Sequence, residues 1–183
     1  MMTLEVPRLE LLDAYAAALR TGWSPSNARD VSGDQLARIA ADPEAFVASF
    51  TWTPGATITV DEGRIVARLP DETRWIWDGD FCGSINFRHV PGTDDLPPHV
   101  SGHIGYAVVP GKRRRGYASQ ALRGMLPVAA GVGLTRVMVT CDDDNLPSRR
   151  VIEACGGVSL GEPLASADSA RPKLRYWIAT RGA

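Results

Sequence analysis

The sequence predicts a mixed α/β fold, and two patterns carry this prediction. In the second half of the chain, short runs of β-branched and aromatic residues alternate with stretches whose apolar residues recur at helical spacing. In the first half, helical stretches come before any clear strand. With 183 residues, the chain has the length of one domain that can bury a substantial core.

The N-terminal part is predicted to be helical. Residues 9–19 have the composition of a helix, and residues 32–50 place apolar side chains at helical spacing, with Pro43 as an interruption or a new helix start. Residues 51–68 are rich in turn-forming and β-branched types, which predicts a loosely extended segment.

A hairpin and a loop are predicted next. Two strands, 75–78 and 81–89, flank the Asp78-Gly79 pair, which is typical of a tight hairpin turn. Residues 91–102 are rich in Pro, Gly and Asp and form a predicted loop.

Strands and helices alternate after this loop. The predicted order is a strand at 104–109, a helix from 117 to about 131 with a kink at Pro127, a strand at 136–141, a helix at 146–155 and a strand at 174–180. Asn145 is a good N-cap for the second of these helices.

A basic turn joins the first of these strands to its helix. Residues 112–115 read Lys-Arg-Arg-Arg, and the helix opens at Gly116 on small residues. Such a start leaves the first backbone N–H groups unblocked, and the positive end of the helix dipole lies beside them. The sequence therefore predicts a site for a phosphate-like anion at this turn.

The pattern Arg113-x-x-Gly116-x-Ala118, between a strand and a helix, resembles the Gln/Arg-x-x-Gly-x-Gly/Ala signature of the GNAT superfamily of acetyl-CoA-dependent N-acetyltransferases. It follows a strand that reads Ile-Gly-Tyr and precedes Asn145-x-x-Ser148, which opens a short helix ending in Gly-Gly. These features occur in GNAT order and at GNAT spacing.

The resemblance implies a fold and a division of the chain. The expected fold is a single GNAT-like domain over 1–183, with a central mixed, mostly antiparallel, twisted sheet flanked by helices on both faces. Residues 81–158 would form the acetyl-CoA-binding core. Residues 1–70, which match the family only in helix pattern, would form a helical region on the acceptor side.

The resemblance also implies acetyl-CoA as the acetyl-donating cosubstrate, without a metal. Its pyrophosphate would bind at the turn and the first helical turn, at Arg113, Arg114, Arg115, Gly116, Tyr117, Ala118 and Ser119. Its pantetheine arm would pair with the central strand, where a backbone N–H of Ala107, Val108 or Val109 polarises the thioester carbonyl. Asn145 and Ser148 would contact the cofactor as well.

The general base and the general acid stay open. His103 stands where many GNAT enzymes carry a glutamate base, and its chemistry suits the role, although a lone histidine on a strand is more often structural. Further candidates for the base are Asp80, Asp94 and Asp95.

Ile152 stands where many GNAT enzymes carry the tyrosine that protonates the leaving thiolate. The acid is then Ser148, Tyr176 or Tyr117, or the thiolate leaves without assistance.

The function predicted from the resemblance is direct transfer of an acetyl group from acetyl-CoA to a primary amine, in a small molecule by preference. The alternative, which Ile152 favours, is a catalytically inactive GNAT-fold sensor or regulatory module that binds acyl-CoA.

Composition excludes several other classes. Lys and Arg number 20 against 21 acidic residues, which gives no reason to expect nucleic acid or membrane as a partner. Three widely spaced cysteines indicate reduced thiols, and no signal-peptide pattern is present, so we expect a cytoplasmic protein, as a monomer or a homodimer. A calcium loop at 142–153 is excluded because Pro147 occupies the position that needs glycine. The Cys and His spacings do not match a zinc site.

Overall fold

The computed structural model describes residues 1–26, 29–60, 63–166 and 169–181. In chain order, its elements are β1 (Thr3–Glu5), α1 (Leu12–Arg20), α2 (Ser32–Ala41), α3 (Pro43–Ala48), β2 (Thr57–Thr59), β3 (Ile65–Ala67), β4 (Asp71–Trp77), β5 (Phe81–Arg88), β6 (Ile104–Val108), α4 (Tyr117–Gly131), β7 (Arg136–Asp142), α5 (Leu146–Ala154), β8 (Val158–Ser159), β9 (Leu164–Ser166) and β10 (Ser169–Ala179). Short 3₁₀ turns lie at Leu9–Leu11 and Pro110–Lys112.

One large sheet forms the centre of the described structure, in the order β1-β4-β5-β6-β7-β10-β8, with β9 paired to β10. All of these pairs are antiparallel except β6 with β7, which run parallel and pair only at Ile104 and Val139. The parallel pair requires a crossover, and α4 supplies it. Strands β2 and β3 form a separate hairpin.

Helices cover both faces of the sheet. On one face, α4 and α5 pack over β4–β7 and β10, with Leu122 and Ile152 fully buried. On the other face, α1 and α3 cover β4 and β5 with an aromatic cluster, in which Tyr15 stacks on Trp75 with ring centroids 4.7 Å apart. These two layers confirm the predicted mixed α/β class, with a mostly antiparallel sheet between helices.

A β-bulge lies near the start of β5. Ile76 pairs with Gly83 and Trp77 with Phe81, so Cys82 is an extra residue on β5. A side chain on Gly83 would clash with the adjacent strand, since its Cβ would lie 2.2 Å from the carbonyl oxygen of Ala107. Glycine at this bulge therefore permits β5 and β6 to pair closely.

Most predicted elements are present, with shifted ends. Asp42 caps α3 by accepting a hydrogen bond from the N–H of Ala45 (2.9 Å), so Pro43 is a new helix start rather than an interruption. Helix α4 continues through Pro127. The segment 51–68 contains the hairpin of β2 and β3 instead of a loose extension.

The shorter strands were not predicted from the sequence. β1, β8 and β9 have two or three residues each, too few for a periodic pattern, and they form because a neighbouring strand supplies the hydrogen bonds. β4 and β10 begin earlier than predicted, and β6 ends at Val108 rather than at Val109. The division of the chain at 1–70 and 81–158 stays a prediction.

Candidate active site

The parallel strands β6 and β7 are joined at one end and separated at the other. Ile104 pairs with Val139, and beside this pair the N–H of His103 donates to the carbonyl of Met138 (2.7 Å). Beyond these bonds the two strands have no further ladder pairs in the described structure. The result is a gap in the middle of the sheet, open towards the C-terminal ends of both strands.

The hydrogen-bond register decides which backbone groups of β6 face this gap. The N–H of Val109 donates to the carbonyl of Cys82 on β5 (2.9 Å). Since donors alternate along an antiparallel strand, Ala107 also points to β5, and the N–H of Val108 points to the gap. The carbonyl of Val108 confirms this direction, because it accepts from Nε of Arg113 (3.2 Å). Of the three predicted oxyanion donors, only Val108 is therefore oriented towards the gap.

The start of α4 has the geometry expected of an anion site. Gly116 lies in the left-handed region with φ of 77°, and no side chain caps the helix. Arg114 has a positive φ of 60°, so the turn is tightly wound on both sides of Arg115. Because no side chain caps this end, the first N–H groups of α4 are available to a ligand, and the exposed arginines at 113–115 directly precede them in the chain.

Asp78 fixes this basic turn at both ends. Its carboxylate accepts from Nζ of Lys112 (2.8 Å) and from the hydroxyl of Tyr117 (2.6 Å). Lys112 and Tyr117 hold the pKa of Asp78 well below its usual range. The sequence indicated only a turn residue at Asp78, because nothing in it shows that the turn between β4 and β5 meets the start of α4.

The start of α5 brings a hydroxyl pair to the gap. Asn145 caps the helix by accepting from the N–H of Ser148 (3.1 Å), as predicted. The hydroxyl of Ser148 lies 2.8 Å from that of Tyr106, which extends from β6. Burial raises the pKa of Tyr106, so its proton is retained at neutral pH. Tyr106 belongs to the Ile-Gly-Tyr strand of the motif, but its position in the sequence indicated no role.

The other predicted proton donors have different surroundings. The hydroxyl of Tyr117 already donates its proton in the hydrogen bond to Asp78. Tyr176 is buried in the core on the face of α4 and α5, and burial raises its pKa. Ile152 is fully buried in the same core. The role of Tyr176 as an acid stays a prediction.

His103 does not have the surroundings of a general base. Its ring is fully buried, and Nδ1 accepts a hydrogen bond from the N–H of Met138 (2.8 Å), which occupies the lone pair that a base needs. Burial lowers the pKa of His103 to about 4. The geometry therefore argues against the predicted role and indicates instead that His103 joins β6 to β7 at the closed end of the gap.

A cavity of about 400 Å³ lies over the gap on the face of α1–α3. Gly105 and Thr140 line it from β6 and β7, and Tyr15, Gln35 and Ser101 line it from α1, α2 and the loop at 91–102. Helices α1 and α2 and this loop therefore border one cavity, and the acceptor-side role of residues 1–70 stays a prediction. A second cavity of about 380 Å³ lies beside it beneath the same loop.

The three aspartates proposed as alternative bases do not line the cavity over the gap. Asp94 accepts from the N–H and the hydroxyl of Thr135 and so anchors the loop at 91–102 to the start of β7. Asp80 is largely exposed in the turn beside Lys112, and Asp95 lines the second cavity. Each of these carboxylates thus lies outside the cavity that borders β6.

Neither a metal-binding cluster nor a membrane-spanning helix is found among the described residues. No group of three His, Cys, Asp or Glu side chains in these ranges is arranged to hold a metal ion. None of the helices in the same ranges is both long enough and apolar enough to cross a bilayer.

Residues 27–158 match the family model described as an acetyltransferase (GNAT) domain. This match spans more than half of the chain, so the protein belongs to the GNAT acetyltransferase family, as its motifs predicted. No curated protein matches the sequence.

Solved structures share the fold at low identity. RimJ of Mycobacterium smegmatis, in complex with CoA-disulfide, is 22% identical, with a TM-score of 0.60 over 96% of this chain and 85% of that chain. The microcin C7 self-immunity acetyltransferase MccE, in complex with acetyl-CoA and AMP, is 14% identical, with a TM-score of 0.59 over 97% and 92%. RimL, a ribosomal L7/L12 alpha-N-protein acetyltransferase in complex with CoA, is 12% identical, with a TM-score of 0.59 over 97% and 93%.

Proposed function

We propose that the protein transfers the acetyl group of acetyl-CoA directly to the primary amine of a small molecule. The observation that carries this proposal is the gap between β6 and β7, which has an open helix N-terminus near one side and a cavity on the other. Acetyl-CoA follows from membership in the GNAT family. The cavity of about 400 Å³ has the size of a small-molecule site.

The basic turn and the start of α4 would hold the pyrophosphate. Gly116 lets the backbone approach an anion, and Ala118 and Ser119 keep the first helical turn small. The arginines at 113–115 add positive charge around these N–H groups. The chain therefore offers the donor set that a diphosphate requires.

Val108 and the hydroxyl pair of Ser148 and Tyr106 would take part in the acetyl transfer. As the amine forms its bond to the thioester carbonyl carbon, the N–H of Val108 stabilises the negative charge on the carbonyl oxygen, an effect worth on the order of 3 kcal/mol in other acyl-transfer enzymes. The C–S bond then breaks, and Ser148, hydrogen-bonded to Tyr106, donates a proton to the sulfur. Ser148 then regains a proton from solvent, and the acceptor amine loses one proton to solvent, so the protons balance.

The first test is calorimetric titration with acetyl-CoA of the wild type and of two glycine variants, Gly116→Val and Gly133→Val. Gly133, near the other end of α4, also has a positive φ (93°), so both variants carry similar backbone strain, of about 1–3 kcal/mol. We expect micromolar binding that is lost only in Gly116→Val. Equal losses in both variants, or no binding to the wild type, would contradict the proposal.

A second candidate function, an acyl-CoA sensor without turnover, is favoured by Ile152, which cannot donate a proton. An amine panel separates the two functions. Acetylated product from any amine of the panel supports the enzyme, whereas binding of acetyl-CoA without product from the whole panel supports the sensor.

A further inference from the structure

The second cavity, beneath the loop at 91–102, has a mostly apolar lining. Its floor is the face of β7 and β10 that lies opposite α4 and α5, since the alternate residues of both strands are buried in the core under those helices. The volume of about 380 Å³ is within the range of small-molecule sites. The apolar side chains that line it are those of Leu96, Pro97, Val100, Met138, Leu164 and Trp177.

Arg175 on β10 brings a positive charge into this apolar lining. Its Nε is buried without a hydrogen-bond partner. The terminal nitrogens of the same guanidinium are not buried in this way, and they form no hydrogen bond or ion pair within the described ranges. A guanidinium that has no acceptor in the folded chain and reaches a cavity is suited to bind an anionic ligand there.

Thr140 on β7 lies beside Arg175. The two are cross-strand partners, so their side chains are neighbours on the same face of the sheet. Thr140 also lines the cavity, and its hydroxyl makes no hydrogen bond to any part of the chain that the structure describes. A carboxylate in the cavity could therefore accept from the guanidinium and from the hydroxyl at the same time.

The other titratable side chains of the described lining do not neutralise Arg175. Lys173 lies 3.7 Å from the carboxylate of Asp142 and is not counted as a further binding charge. Asp95 is exposed to solvent, which screens its charge, and it forms no ion pair with Arg175. His99 completes this set from the loop.

These surroundings favour a carboxylate over a phosphate. One guanidinium and one hydroxyl match the single charge of a carboxylate, whereas a phosphate dianion would bring a second charge among apolar walls. The apolar walls in turn require an apolar body on the ligand, because a small hydrated anion alone would leave them without contacts.

We propose that the second cavity binds a small carboxylate with an apolar body, with Arg175 and Thr140 holding the carboxylate. This site goes beyond the proposed acetyl transfer and does not depend on it. Because Ser101, Thr140 and Lys173 line both cavities, the two cavities adjoin. The carboxylate belongs either to the far end of an acceptor amine or to a separate molecule.

The test is a ligand-detected NMR titration of the full chain without acetyl-CoA. The probes are 3-phenylpropionate and hexanoate, the neutral amide of each, and acetate, which has no apolar body. We expect each longer carboxylate to bind about tenfold more tightly than its amide and than acetate, the factor that one charge-assisted contact supplies. Arg175→Gln should remove the preference for the carboxylates, Thr140→Val should reduce it, and Arg175→Lys should restore part of it.

Arg20→Gln is the matched control, because Arg20 is an exposed arginine at the end of α1, outside the lining of both cavities. It should bind the carboxylates as the wild type does. Thermal unfolding adds a second measurement, since 3-phenylpropionate should raise the midpoint of the wild type and of Arg20→Gln but not that of Arg175→Gln. Equal binding of carboxylates and amides to the wild type, or equal carboxylate binding to the wild type and Arg175→Gln, would overturn the site.

Kinetics distinguish the two sources of the carboxylate. With any amine that the protein acetylates, competitive inhibition by 3-phenylpropionate identifies the site as the place of the acceptor's far end. A change in kcat without competition identifies a separate molecule. If no amine is acetylated, the proposed acetyl transfer fails, whereas the binding measurements still support or overturn the site at Arg175.

Discussion

Replacing Asp78 with asparagine should weaken the binding of acetyl-CoA without altering the acetyl-transfer site. Asp78 ties Lys112 and Tyr117, which stand on either side of the arginine turn. Asparagine keeps the shape but loses the charge and one of the two acceptor oxygens. The turn then has to be ordered by the ligand, and the ordering cost lowers the apparent affinity.

The magnitude follows from the two bonds. Hydrogen bonds to charged groups contribute about 1.5–3 kcal/mol, and the amide retains one acceptor, so we expect a loss of about 1–2 kcal/mol. This corresponds to an increase of about 5- to 30-fold in KM for acetyl-CoA. Both side chains of the ion pair are mostly buried, with exposed fractions of 20% for Lys112 and 15% for Asp78, so solvent screening reduces this effect only in part.

The assay compares acetyl-CoA with S-acetylpantetheine, which carries the thioester but no phosphate. If Asp78 acts through the pyrophosphate site, KM rises for acetyl-CoA and stays constant for S-acetylpantetheine. Asp80→Asn is the control, because Asp80 lies in the same turn but is 64% exposed and 3.7 Å from Lys112. An equal rise for both donors would show a general structural effect and refute the reasoning, as would an unchanged KM for acetyl-CoA.

Three further predictions concern the hydroxyl pair, the bulge and the buried histidine. Ser148→Ala and Tyr106→Phe should each lower kcat about tenfold with little change in KM for acetyl-CoA. The double variant should have nearly the same kcat as either single variant, because the two hydroxyls act as one unit. Additive losses of kcat in steady-state kinetics would contradict this. Gly83→Ala should lower the free energy of unfolding by about 3 kcal/mol or more in urea titrations, because its Cβ would lie 2.2 Å from the carbonyl oxygen of Ala107; an unchanged midpoint would refute the clash. Burial lowers the pKa of His103 to about 4, whereas the unfolded chain binds this proton near pH 6.5. The free energy of unfolding should therefore fall as pH decreases from 6.5 to 4, by up to about 1.4 kcal/mol per pH unit. His103→Asn should flatten this pH dependence.

The sequence by itself determined the parts of the site that are local in the chain. The helix start at Gly116, the basic turn and the Asn145 cap depend on the conformations of consecutive residues, so a short pattern is sufficient to predict them. The strong hydrophobic periodicity of the C-terminal half likewise predicted the alternation of strands and helices. The mixed α/β class followed from these elements.

The tertiary structure decided what depends on contacts between distant segments. The alternation of hydrogen bonds along β6 selects Val108 over its neighbours, and that phase is set by pairing with β5 rather than by the sequence of β6. Asp78 meets Lys112 and Tyr117 across 34 and 39 residues of chain.

His103 is an example in which the sequence suggested a role that the folded surroundings do not favour. Its residue type and motif position suggested a base, but burial and the N–H of Met138, 35 residues away, leave its ring neutral and its acceptor nitrogen occupied. The proximity of Arg175 and Thr140 in the second cavity is also a property of the assembled sheet, because the two residues come from different strands. The sequence determines which side chains are present, whereas their burial and their hydrogen-bond partners exist only after folding.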